Sequence, residues 1–92
     1  GGWAVSVPDE ATYAAQAELA AQEGILIEPA AAICLAAVRA DLAAGRLAGD
    51  ETVACWLTGA GFKDAAALAR IAEARPIERI EAEAILALAA GP

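Results

Sequence analysis

Two stretches stand out from the mixed apolar and polar pattern of this chain. Ala30 to Val38 is apolar for nine residues, which in a helix means burial on several sides. Val53-Ala54-Cys55-Trp56-Leu57 is apolar without a 3.6-residue or alternating period, and it runs into Thr58-Gly59-Ala60-Gly61 and then Phe62-Lys63-Asp64. That second pattern reads as a strand buried on both faces, a tight loop and a new helix. In open α/β sheets ligands bind beyond the carboxyl ends of central strands, and this end carries one hydroxyl, Thr58, between apolar residues and two glycines.

The remaining elements fall around these two. Trp3-Ala4-Val5-Ser6-Val7 alternates as a short strand does, and Pro8-Asp9-Glu10 supplies a proline and two acids at a helix start. A helix over about 9–22 follows, with Tyr13, Ala17, Ala20 and Ala21 on its apolar face, Gln16 and Glu18 on its wet side, and Gly24 as its left-handed stop. Ile25-Leu26-Ile27 is a short strand or a buried connector. Glu28 falls at the cap of the next helix and Pro29 at its first position. A Glu gains from the helix dipole there but has the wrong length for a good capping bond, so it is either a surface acid or a carboxylate aimed into a cleft.

This second helix extends to about Ala44, with Arg39, Asp41 and Arg46 marking its emergence into water and Gly45 its end. Asp64 caps a third helix over about 64–74, with Leu68, Ile71 and Ala72 inward, and Arg75-Pro76 stops it. Ile77 to Ile80 is a brief extended segment. Glu81 to Ala90 forms a last helix around Ile85 and Leu88, closed by Gly91-Pro92. The pattern predicts an α/β fold, part of a three-layer sandwich with a short, mostly parallel sheet flanked by helices. No internal boundary divides residues 1–92.

Composition narrows the function. A net charge of −7 argues against nucleic acid and against an anionic membrane surface. No apolar run approaches the roughly 20 residues that span a bilayer. Cys34 and Cys55 each sit in an apolar stretch and read as reduced core residues, which fits a cytoplasmic setting; with no His and no close Cys pair, a metal site is not expected. Gly1-Gly2-Trp3 has no initiator Met, basic segment or cleavage site, and reads as the cut end of a longer chain or as residues added at cloning.

The stretch Glu23-Gly24-Ile25-Leu26-Ile27-Glu28-Pro29-Ala30, followed at the proper separation by Leu57-Thr58-Gly59-Ala60-Gly61-Phe62-Lys63-Asp64, resembles the C-terminal part of the threonine synthases. More broadly it resembles the fold-type II pyridoxal-phosphate enzymes, which include the serine and threonine dehydratases. The resemblance runs from about Ala4 to Ile80. It implies that Thr58 hydrogen-bonds the pyridine nitrogen of pyridoxal 5′-phosphate, that Glu28 lies just behind the ring's immediate contacts, and that Gly59 and Gly61 let the backbone pass close to the ring. A neutral hydroxyl at the ring nitrogen leaves it largely unprotonated, which suits elimination and replacement at the β and γ carbons of an amino acid.

Phe62 stands where the family usually has Leu, and Ala31-Ala32 where a Ser-Ala pattern is more common. The Schiff-base lysine, the Asn beside the ring hydroxyl and the phosphate-binding glycine loop of such enzymes lie upstream of the part matched. Lys63, the only lysine, aligns with the family's Lys-Asp pair after the loop, a surface or helix-terminus contact.

The expected function is therefore a C-terminal piece of a threonine-synthase-like lyase, or of a serine/threonine dehydratase relative. It would form one wall of the cofactor site with no catalytic residue of its own. Its partners would be the remainder of the parent domain or a second copy, with a small amino acid as the parent's substrate. An autonomous, non-catalytic α/β interaction module is the alternative, and a free-standing phosphate-binding domain a third.

Overall fold

The computed structural model describes residues 1–91; the stop expected at Pro92 lies outside them. Among the described residues, four α-helices and one short turn of 3₁₀ helix make up the regular structure. They are α1 (Asp9–Glu23), α2 (Pro29–Ala43), the 3₁₀ turn (Gly61–Lys63), α3 (Ala65–Ala74) and α4 (Ala82–Ala90).

Local chemistry explains each helix end. Gly24 takes the left-handed conformation at φ 67°, and its N–H donates to Ala20 O. Pro29 occupies the first turn of α2, where its missing N–H costs nothing, and Glu28 caps it with backbone only. Gly45, at φ 73°, turns the chain after α2. The Asp64 carboxylate accepts from Ala67 N at 3.0 Å, the cap expected of it.

The core is the seam between α1 and α2. Ala31 and Ala32 of α2 are buried there with Ile27, and Leu19 and Leu35 pack against them; Ala15 of α1 and Ala36 of α2 are buried as well. Small residues let the two helix backbones approach closely. An Arg39–Glu18 ion pair at 2.8 Å crosses the same seam on its exposed side, where such pairs contribute about 0–1 kcal/mol. Ile33 is 45% exposed, so the apolar run of α2 is buried on one side and not all round.

The expected α/β sandwich is not what forms. Among the described residues there is no sheet; strand pairing is limited to one isolated antiparallel bridge, Ile27 to Ala60. Residues 53–57 have no regular secondary structure, and Val53 and Trp56 are exposed, the indole at 86%. An apolar run becomes a strand only when a neighbour supplies the facing N–H and C=O groups. Neither expected neighbour does so here. Trp3–Val7 has no regular secondary structure, and the Trp3 indole N–H donates to Asp41 Oδ2 at 2.8 Å, pinning this segment to the far end of α2. Of Ile25–Ile27, only Ile27 forms a bridge, with Ala60 in the glycine loop and not with the run itself.

Two side chains also depart from the sequence reading. Asp41, expected at the helix's emergence into water, is buried, held by Trp3 and by Arg46 Nε at 2.6 Å. The Trp3 hydrogen bond first, and the Arg46 hydrogen bond and charge with it, hold its carboxyl below the usual carboxylate range against the opposing effect of burial. Gln16, expected on the wet side of α1, is 1% exposed.

The chain leaves much of itself uncovered. Its surface is 6885 Å², where a compact chain of 9.2 kDa exposes about 4,900 Å². Its radius of gyration is 17.9 Å, against about 12 Å for a compact chain of this length. α4 buries none of its residues; Ile85 and Leu88, around which it was expected to pack, are exposed.

Candidate functional site

The two motifs that are distant in sequence meet at one place. Glu28 N donates to Gly59 O at 3.1 Å, and Gly61 N donates to Leu26 O at 3.0 Å, so the residues before α2 and the glycine loop run antiparallel across the Ile27–Ala60 bridge. Glu28, Thr58, Gly59 and Gly61 are thereby brought together by backbone bonds.

The glycines are there for close approach. A β-carbon on Gly59 would overlap Glu28 Oε1 and Cδ and lie 2.8 Å from Cγ, so the Glu28 side chain lies flat against the Gly59 backbone. A β-carbon on Gly61 would lie 2.5 Å from Leu26 Cγ. Neither glycine has a positive φ, so space, and not backbone conformation, is what each provides. The Thr58 side chain is exposed beside this cradle, and Glu28 is half-buried in it. Lys63 is exposed at the end of the 3₁₀ turn, its N–H bonded to Ala60 O at 3.2 Å.

One buried side chain supports the bridge from behind. Gln16 Nε2 donates to Ile27 O at 2.7 Å, satisfying a carbonyl that belongs to the bridge residue itself. Thr12, Gln16 and Leu19 are spaced four and three apart, so they share one face of α1, and Thr12 and Leu19 turn inward.

An open depression of about 380 Å³ runs along Ala54 to Leu57. The larger cleft, about 440 Å³, lies elsewhere, between Val5–Val7 and the first turns of α1 and α2, with Asp9, Thr12 and Tyr13 on its wall. Cys34 and Cys55, 21 positions apart, lie near each other; burial first, and the nearby Cys34 with it, push the Cys55 thiol up. Both are half-buried, and the Cys34 thiol donates to Ala31 O at 3.0 Å.

Chemically, the site offers one exposed hydroxyl, one carboxylate and a glycine backbone on which the Glu28 and Leu26 side chains lie. Such a wall can accept the edge of a flat aromatic ring and offer its ring atom a hydrogen bond. Among the described residues no cluster of three or more potential metal ligands exists.

Residues 1–59 match the family model described as "Pyridoxal-phosphate dependent enzyme". The chain belongs to this family. The match includes Glu28, Thr58 and Gly59 and stops short of Gly61 and Lys63. Among relatives of this pyridoxal-phosphate-dependent enzyme family, a threonine synthase of Methanocaldococcus jannaschii is 42% identical over 73 residues, 79% of this chain and 18% of that protein. A threonine synthase of Methanosarcina acetivorans is 48% identical over 64 residues, 70% of this chain and 16% of that protein. One of Halalkalibacterium halodurans is 43% identical over 58 residues, 63% and 16% respectively. The chain thus spans less than a fifth of the length of these curated relatives. No solved structure matches it. Among the described residues, no helix is long and apolar enough to cross a membrane.

Proposed function

We propose that this chain supplies one wall of the pyridoxal 5′-phosphate site of a threonine-synthase-like lyase and performs no catalysis alone. In this reading residues 1–92 are one segment of a larger, cytoplasmic catalytic domain, whose substrate is a small amino acid. The Thr58 hydroxyl donates the hydrogen bond to the pyridine nitrogen. Glu28 stands beside it, packed on the Gly59 backbone, and Gly59 and Gly61 carry the stretch of backbone that passes close to the ring.

The bound cofactor would act as the electron sink for elimination and replacement at the amino-acid side chain. The work of this chain's residues is narrower. Thr58, a neutral group, orients the ring without placing a charge at its nitrogen. Glu28, next to it, fixes the loop that carries Thr58. The observation that carries this reading is the meeting of Glu28 with Thr58–Gly59 across the bridge, within the span that matches the family. The uncovered surface, about 2,000 Å² beyond that of a compact chain, favours a larger assembly over an autonomous module.

The test is to mix the 92-residue chain with pyridoxal phosphate, record its visible absorbance, reduce with borohydride and weigh the product. The wall reading expects no stoichiometric adduct. A one-to-one adduct on Lys63 would overturn it, because the chain would then hold the cofactor through its own lysine.

A further inference from the structure

We propose that Gln16 is the positioning residue of this site: through one buried hydrogen bond to Ile27 it sets where Glu28 and Thr58 stand relative to each other. This rests on the wall reading above. Gln16 is the largest fully buried side chain, and its amide reaches out of α1 to the carbonyl of the residue that forms the bridge. Ile27 is itself 4% exposed, so water has little access to replace the donor.

The geometry leaves the connection short. Glu28 follows Ile27 directly, and its N–H is the one that binds Gly59 O. The peptide plane joining Ile27 to Glu28 is therefore held at both ends, by Gln16 on the carbonyl and by Gly59 on the amide. Because a peptide unit is planar, losing the first hold lets the whole plane rotate and moves the second. Gly61, bonded to Leu26 O on the other side of the bridge, is displaced with it. An apolar side chain of equal size would fill the same space in the helix seam. The amide is needed for direction, not bulk.

The experiment is amide hydrogen exchange, residue by residue, in the chain carrying Gln16→Met, with Leu19→Ala as comparison. Leu19 packs on the same cluster and makes no bond to the bridge. The expected result is that Gln16→Met speeds exchange at the Glu28 and Gly61 amides by at least about tenfold, while the mid-helix amides of α1 and α2 change by less than about threefold. Leu19→Ala should speed the helix amides at least as much as those two. Equal loss across all amides in Gln16→Met, or no change at Glu28 and Gly61, would overturn the proposal.

A second readout separates it from the cofactor reading. Residues 1–59 carrying Gln16→Met are exchanged into a threonine synthase in place of the stretch they match, and the absorbance of bound pyridoxal phosphate is compared with that of a Glu28→Gln exchange. A shift in the same direction supports both readings. Loosened bridge amides with an unmoved cofactor band would keep Gln16 as a positioning residue and sink the wall reading.

Discussion

Replacing Gly59 by Ala should destabilise the chain, and the same replacement should stabilise it once Glu28 has been shortened to Ala. The three atoms nearest to a β-carbon introduced at Gly59 are Glu28 Oε1, Cδ and Cγ, all of which Glu28→Ala removes. With Glu28 present, the side chain must swing off the backbone or the bridge must open, and forced overpacking of this kind costs about 1–3 kcal/mol. Against that, Gly→Ala at a position without positive φ narrows the unfolded ensemble and contributes about 0.4–1 kcal/mol in favour of folding.

The net expectation is a loss of about 1 kcal/mol in the natural background and a gain of about 0.4–1 kcal/mol in the Glu28→Ala background. Urea denaturation followed by far-ultraviolet circular dichroism reads both changes, since a small domain's slope of about 1 kcal/mol per molar turns 1 kcal/mol into a midpoint shift of about 1 M. The informative quantity is the coupling between the two sites. If Gly59→Ala has the same sign and size in both backgrounds, the Glu28 side chain does not lie on Gly59, and room for that side chain is not what the glycine provides.

Three further outcomes follow from the same structure. Asp41 has a folded pKa below its ordinary value of 3.8, so its contribution to stability is complete above that value and is lost as pH falls through the folded pKa; the stability difference between the chain and Asp41→Asn should shrink on acidification below pH 3.8 and stay level above it. Ala32→Leu, at a fully buried point of the α1–α2 seam, should cost about 1–3 kcal/mol in thermal or urea melts, whereas Ala30→Leu on the exposed side should stay within about 0.5 kcal/mol. The nearby thiols of Cys34 and Cys55 should be bridged by one molecule of a short bifunctional alkylating reagent such as dibromobimane, read as a single mass addition per chain; two separate additions would show the segment 53–57 lying away from α2.

Helix ends were legible in the sequence because single residues encode them. Pro29 and the glycines Gly24 and Gly45 act through local backbone geometry, and Asp64 through a side-chain cap three residues away, none of which a distant contact alters. The run Val53–Leu57 was misleading for the opposite reason. Its composition states that it is apolar, but strand formation depends on a second strand, and the two candidates in this chain are engaged elsewhere, Trp3 with Asp41 and Ile27 with Ala60. The meeting of the Glu28 and Thr58–Gly59 motifs was anticipated through the family resemblance. Their contact through the Gly59 backbone was not, since it depends on where a carboxylate lies and not on which residues precede it. Gln16 was hidden by its polarity: an amide on α1 looks wet until the carbonyl it satisfies is known. The two cysteines, read separately as packing residues, are neighbours only because α2 and the 53–57 segment lie together.

The most direct test of the central claim is made at Thr58. With residues 1–59 of this chain exchanged into a threonine synthase in place of the stretch they match, the bound cofactor's absorbance and the turnover are compared for Thr58, Thr58→Ser and Thr58→Val. Loss of one hydrogen bond, about 0.5–1.5 kcal/mol, corresponds to a fall in turnover of up to roughly tenfold. The account predicts that fall, with a shifted cofactor band, for Thr58→Val and near-normal values for Thr58→Ser. An unmoved band and unchanged turnover in Thr58→Val would contradict it, leaving Thr58 as a loop residue beside a glycine cradle with no part in holding the ring.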